Sequence, residues 1–256
     1  MIKIFLAAAR FQALLLRAAL ADLAPLLTVP IFALILLAVM MDAGRADLAP
    51  YAIVGATVVA VWNMALNVSG GLIESERRCG TLEASISVPA PLTVVILGRT
   101  TTITLISMFA LAESLLVARL GFDVAVSVPH PGLLAAAIAA TVLAMVGTAT
   151  ALAGMFVLAR SARTFQNSVS YPFFLLSGAV VPPAFLPEWL QPATKLVFLS
   201  WSTDLVRDSL RPGPITDAFP RLLVLLALGA VGYGVGAWML TRILRRVRTT
   251  GAVNYT

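Results

Sequence analysis

Side chains able to do covalent, acid–base or metal chemistry are few and scattered in this chain. One histidine, His130, stands between Pro129 and Pro131, and one cysteine, Cys79, lies far from it. Together they fall short of the usual ligand count of a zinc site. The lone cysteine cannot form an intrachain disulfide and suits a reducing side of the membrane. Nowhere do His, Asp and Glu gather as an enzyme acting on lipids would require. The phosphate-cradling pattern G-x-x-x-x-G-K-[ST] is missing as well, because Lys3 and Lys195 are the only lysines and neither follows a glycine. ATP hydrolysis by that route is excluded.

The charged residues that do gather are Glu74, Glu76, Arg77, Arg78 and Glu83, in the stretch ESERRCGTLEASISVPAP at residues 74–91. Each would cost about 2.5–3.5 kcal/mol in hydrocarbon, on the order of 10 kcal/mol together, so the segment belongs in water. The adjacent arginines place it on the cytoplasmic side. Gly80 and Thr81 break the preceding helix, Thr81 is a suitable N-cap, and Glu83 in the first turn favours the positive end of the helix dipole. Pro89 ends that helix, since the residue before a proline is pushed out of the α region. The expected element is a short exposed helix held at both ends by membrane segments, a shape suited to passing force to a soluble partner. An ordinary solvated loop is the competing reading.

Elements around this island follow from composition. Of the 256 residues, 60% are hydrophobic and 12% charged, against about 25% charged in soluble domains. The chain reads as an all-α polytopic membrane protein. Its net charge of +6 is spread among short loops instead of forming one patch, which serves topology better than nucleic-acid binding. Six spans are expected, at about residues 23–41, 51–73, 92–117, 133–158, 169–181 and 222–240. Twelve of the 18 basic residues then lie inside or at the inner interface, which puts both termini in the cytoplasm. Ahead of the first span, residues 1–21 read as an amphipathic interfacial helix: Lys3, Arg10 and Arg17 recur every seven residues and form one basic stripe toward anionic headgroups.

Within the spans, Asn63 and Asn67 share a face, as do Thr100, Thr104 and Ser107; these are candidates for a polar route or a subunit interface, with plain interhelical packing as the alternative. Glu113 falls near the outer boundary, as an interfacial carboxylate near Arg119 or as part of an ion path. Gly147, Ala151 and Gly154 give the fourth span a small-residue face, and Gly232 and Gly236 form a G-x-x-x-G pair in the sixth. Residues 184–211 are too charged to span and too apolar for a free loop, and Trp189 and Trp201 favour the interface. One or two short exterior helices dipping into the outer leaflet are expected there.

Glu74, then Gly80-Thr81-Leu82-Glu83, then Pro89 resembles the coupling-helix segment of the type 2 (ABC-2) family of ABC transporter permeases. The exterior segment is similar to the re-entrant helices of the same family, with the Gly-x-x-x-Pro motif at Gly178 and Pro182 followed by Pro187 and Trp189. The Asn-Pro pair that relatives carry further on is replaced by Phe198-Leu199-Ser200-Trp201. Membership would imply a permease without its own ATPase site, driven through Glu74, Glu76, Arg77, Gly80, Thr81, Leu82 and Glu83 by two copies of a separate ABC ATPase subunit. That subunit would hold the ATP and Mg; the permease itself needs no cofactor. A second permease copy or a paralogue would complete the pathway. The resemblance further implies an exporter in a bacterial plasma membrane, surrounded by membrane lipids, moving a small drug-like or lipid-like amphiphile. A secondary transporter or channel is the alternative; it would want intramembrane charges or broken helices near the midplane.

Overall fold

The computed structural model describes residues 1–18, 24–78, 92–124, 126–158, 162–180, 183–215 and 217–250. Helices dominate these residues: α1 (Ile2–Ala18), α2 (Ala24–Asp42), α3 (Ala49–Arg78), α4 (Leu92–Ser107), α5 (Phe109–Phe122), α6 (Pro131–Leu158), α7 (Ala162–Leu176), α8 (Gln191–Thr194), α9 (Phe198–Ser209) and α10 (Ala218–Thr250). No strand occurs among the described residues.

Among the described residues, four segments are long and apolar enough to cross a bilayer: Ala49–Leu66, Thr93–Phe122, Pro131–Phe156 and Ala218–Ile243. They match the second, third, fourth and sixth expected spans. The region of the first expected span is helical as the 19-residue α2, whose apolar run at Leu26–Asp42 is shorter than those four. The fifth differs most. Helix α7 starts at Ala162 and stops at Leu176, several residues earlier at both ends than the expected 169–181. Arg163 limits insertion into hydrocarbon but does not oppose helix formation, since arginine is a good helix former. The stop is set by Gly178, whose φ of +68° ends the α conformation.

At the heart of the bundle is α3. The stretch Ala49–Leu66 is 78% buried, whereas Ala218–Ile243 of α10 is only 17% buried. Small residues on α3 let its neighbours close in, and Val54, Trp62 and Leu66 join residues of α6 and α9 in the main core. On the other side Ala56, Ala60 and Met64 meet α2, Ile103 of α4 and Ala110 of α5. Helix α3 has 30 residues, so at 1.5 Å each it is about 45 Å long and overruns a hydrocarbon core of about 30 Å. Glu74, Glu76 and Arg77 fall in its last turns.

Two seams fix the periphery. The small faces of α6 and α10 meet each other: a Cβ on Gly236 would lie 2.5 Å from the Ala151 nitrogen, and one on Gly232 would lie 3.1 Å from the Thr148 nitrogen. Gly229, which the sequence pattern does not single out, packs in the same seam with Ala144. The second seam joins α1 to α4. A Cβ on Gly98 would come within 2.6 Å of the Phe5 carbonyl oxygen, the Arg99 Nε donates to Gln12 Oε1 at 2.6 Å, and Thr102 Oγ1 donates to the Ala9 carbonyl at 3.3 Å.

Candidate functional site

Among the described residues, polar side chains come together in three places. The first is the hydroxyl row on α4. Thr100 Oγ1 donates to the Ile96 carbonyl, Thr104 Oγ1 to that of Thr100 and Ser107 Oγ to that of Thr104, each at 2.8 Å. All three side chains are buried. Their donors are satisfied within their own helix, as threonine allows in an apolar setting.

The second place is α7 against α3. Trp62 is fully buried; its ring stacks on Phe173 with centroids 4.3 Å apart, and its Nε1 donates to Ser170 Oγ at 3.1 Å. Ser170 Oγ in turn donates to the Gln166 carbonyl at 2.8 Å. Asn63, the next residue of α3, is half-buried, and Asn67 lies one turn further on. The opposite face of α7 carries Thr164, Asn167, Ser168 and Tyr171, all exposed, with Tyr171 75% accessible. These four follow the i, i+3, i+4, i+7 spacing of one helix face. Its regular spacing was available in the sequence; the arginines at 160 and 163 draw attention away from it.

The third place is the ends of α3, α6, α7 and α10, tied together by α9. Nine of the twelve residues of α9 are buried. Arg207 is 3% exposed; its Nη2 donates to the Gly178 carbonyl at 2.6 Å, and its guanidinium lies over the Tyr51 ring, 4.2 Å from the centroid. Thr203 Oγ1 donates to the Ser177 carbonyl at 2.7 Å, the Thr141 and Ser202 hydroxyls share a bond of 2.6 Å, and Arg221 Nη1 donates to Asp208 Oδ2 at 2.6 Å. One short helix thereby hydrogen-bonds α6, α10 and the turn that follows α7, and contacts α3 through Tyr51. Burial lowers the pKa of Arg207, and Asp204, 3.9 Å away, opposes that shift; the guanidinium remains charged. Burial raises the pKa of Asp204, against the pull of Arg207.

Gly178 has no substitute in this arrangement. Its φ is positive, and a Cβ would lie 2.9 Å from Pro183 Cδ. Pro182, its expected partner in the Gly-x-x-x-Pro motif, is outside the described residues. Pro187 opens the next turn, accepting from the Leu190 N–H at 2.8 Å, and Trp189 is exposed. Sequence reasoning placed Arg207 only among the exterior basic residues. Nothing local marks it for burial, because arginine is mostly exposed and its partners are remote in sequence.

Of the charged segment, Glu74, Glu76 and Arg77 lie on the helical end of α3, while Cys79, Gly80, Thr81, Leu82, Glu83 and Pro89 are outside the described residues. Glu113 lies on α5; its Oε2 is buried and has no hydrogen-bond partner, and no ion pair joins it to Arg119 among the described residues.

Compared with known families, residues 3–210, from α1 through α9, match the family described as ABC-2 type transporter. A search of curated proteins finds no match.

Proposed function

The chain belongs to the ABC-2 type transporter family, and from that premise we propose that it is the membrane permease of an ATP-powered exporter, working as a pair of permeases with two copies of a separate ATPase subunit. The permease is a transport component and not itself catalytic; ATP and Mg would be held by the partner. Six spans are the topology of this proposal, with α2 and α7 as the first and fifth and both termini in the cytoplasm of a bacterial cell.

The observation that carries the reading is the exposed polar face of α7. With α7 as the fifth span, asparagine, serine and tyrosine side chains facing lipid would be costly, so such a face belongs against water or a second protein surface. Two copies of the chain meeting across α7 and the adjacent Asn63 and Asn67 would enclose a route lined by hydroxyl, amide and aromatic groups. That lining fits an amphiphilic cargo, either drug-like or lipid-like. Thr100 and Thr104 would border the route only in a conformation that parts α4 from its neighbours.

Energy would enter at the cytoplasmic end. Closure of the ATPases on ATP would push on the segment after Thr81, held through Glu74, Glu76, Arg77, Gly80, Leu82 and Glu83, and tilt the bundles between inward-open and outward-open states. The test is reconstitution with a copurifying P-loop ATPase and a panel of amphiphiles. Replacing Asn167, Ser168 and Tyr171 together by leucine should abolish substrate stimulation of ATP hydrolysis, and Glu83→Arg should uncouple or release the ATPase. Unchanged stimulation in the first variant, with unchanged transport and copurification in the second, would overturn the reading.

A further inference from the structure

We propose that the outward face of α1 binds anionic lipid headgroups, and that their occupancy is passed to α4 through the contact between Gln12 and Arg99. Helix α1 buries Ala8, Gln12 and Leu16, four residues apart and therefore on one face. Lys3, Arg10 and Arg17 are all exposed. Two residues separate Ala8 from Arg10, a rotation of about 200°, so the basic line runs along the side opposite the buried one. No acidic residue occurs in α1 to neutralise it.

The flanks of the basic line identify the partner. Ile2, Leu6, Phe11 and Leu14 are exposed large hydrophobics on the same helix, interleaved with the cations. A soluble acidic protein would leave those side chains in water, whereas the boundary between headgroups and acyl chains accepts both kinds at once. Phosphate-bearing lipids with net negative charge supply the missing anions. Each Lys or Arg near an anionic surface contributes about fivefold in affinity, so three aligned cations give about a hundredfold preference over zwitterionic lipid at low salt.

The seam with α4 makes this more than an anchor. Arg99 is bonded to Gln12 at 2.6 Å and lies over the Phe11 ring, 5.6 Å from its centroid, and Gly98 admits the backbone of α1 at contact distance. Helix α4 begins at Leu92, immediately after the segment proposed to meet the ATPase. A headgroup that holds α1 therefore holds the helix through which that segment enters the bundle. The regulatory half of the proposal rests on the permease reading; the binding half does not.

The experiment uses the full-length protein in nanodiscs of phosphatidylcholine with one quarter phosphatidylglycerol, at 50 and 500 mM NaCl. Lipids retained on extraction are counted by native mass spectrometry. Wild type should retain phosphatidylglycerol at low salt and lose the preference at high salt. The combined Lys3→Gln, Arg10→Gln, Arg17→Gln variant should lose it at both, while Arg45→Gln with Arg119→Gln, which removes two cations elsewhere, should behave as wild type. Retention unchanged in the triple variant overturns the proposal. So does retention unchanged with loss of ATPase copurification, which would make α1 a protein-docking face. With the ATPase present, Gln12→Leu should keep lipid retention but lose the dependence of transport on phosphatidylglycerol, and a persisting dependence refutes the α4 relay. Failure to transport in every lipid would sink the permease reading while leaving the lipid count to decide on α1.

Discussion

Alanine replacements at Gly236, Gly232 and Gly234, all in the interior of α10, should separate packing from propensity in the seam with α6. Each adds the same methyl group and the same gain in helix propensity, which the handful of comparable positions in one helix makes a shared constant. Their surroundings differ. At Gly236 the new Cβ would meet backbone atoms of α6 at 2.5 Å, where ordinary contact begins at 3.4 Å, so the helices must part by about 0.9 Å. Backbone cannot swing aside as a flexible side chain can. A gap of about that size forfeits a quarter to a half of the dispersion energy of each contact it opens, and close packing is the main attraction between helices where lipid replaces water. We expect Gly236→Ala to lose about 1–3 kcal/mol. At Gly232 the nearest backbone atom is at 3.1 Å, so a shift of a few tenths of an ångström suffices and the loss should stay below about 1 kcal/mol. At Gly234 nothing lies within 4 Å, and Gly234→Ala should fall within about 0.5 kcal/mol of wild type. The assay is unfolding by sodium dodecyl sulfate titrated into mixed micelles, followed by tryptophan fluorescence and circular dichroism. An order other than Gly236, Gly232, Gly234 would refute the reasoning, as would equal losses at all three.

Two further outcomes follow from the cluster at the end of α9. A double-mutant cycle of Tyr51→Leu and Arg207→Met should give a coupling of about 1–2 kcal/mol in the same unfolding assay, because the guanidinium over the ring is desolvated; a coupling indistinguishable from zero would dismiss the contact. The pKa of Asp204 is raised by burial above 3.8, so the folded state binds its proton more tightly than the unfolded one. Its contribution to stability is then fully present below the unfolded value and is lost as pH rises through the folded one. Stability should decline as pH rises from about 4 through that window, and Asp204→Asn should flatten the decline; an identical profile in the variant would count against it.

The legible part of the fold was the part set by polarity and side-chain size. Hydrocarbon excludes charge so strongly that the stretch at Glu74–Arg78 and the run of arginines after Leu240 bound the apolar part of their helices without any structure. The small faces at Gly147, Ala151, Gly154, Gly232 and Gly236 were equally visible, but a G-x-x-x-G pair reports only that something comes close, not what. That α6 and α10 serve each other is a tertiary fact, and Gly229 joins them from outside the pattern. The break between α4 and α5 at Met108 was invisible because neither glycine nor proline marks it. Arg207 was the furthest from view: its carbonyl partner at Gly178 is 29 residues away, and its burial depends on Tyr51, near the start of another helix. On α4 the threonines suggested a polar face, and in the structure Thr100 and Thr104 each donate to a carbonyl one turn back. The better polar face, on α7, was hidden by the arginines that precede it.

These placements constrain how a push at one end could reach the other. Helix α3 carries Tyr51 beneath Arg207 near its first residue and Glu74, Glu76 and Arg77 near its last, and its middle is the most buried apolar segment of the bundle. A helix packed on all sides moves with its neighbours or not at all, because close-packed interiors shift between arrangements more readily than they deform. Past Pro50, no proline interrupts it. Its sequence holds one pair of adjacent glycines, Gly70-Gly71, and glycine costs about 1 kcal/mol of helix propensity per residue. A force on the charged tip therefore divides between bending there and displacing the shaft as a rigid body. Only the second share would reach Tyr51, where any movement must also disturb the Arg207 contact and the α9 bonds to α6, α10 and the turn after α7. If the proposed push acts on the charged tip, opening at the far side and bending at the near side would be alternatives competing for the same work, and the bonds held by α9 would favour bending for a weak push and collective movement only for a strong one.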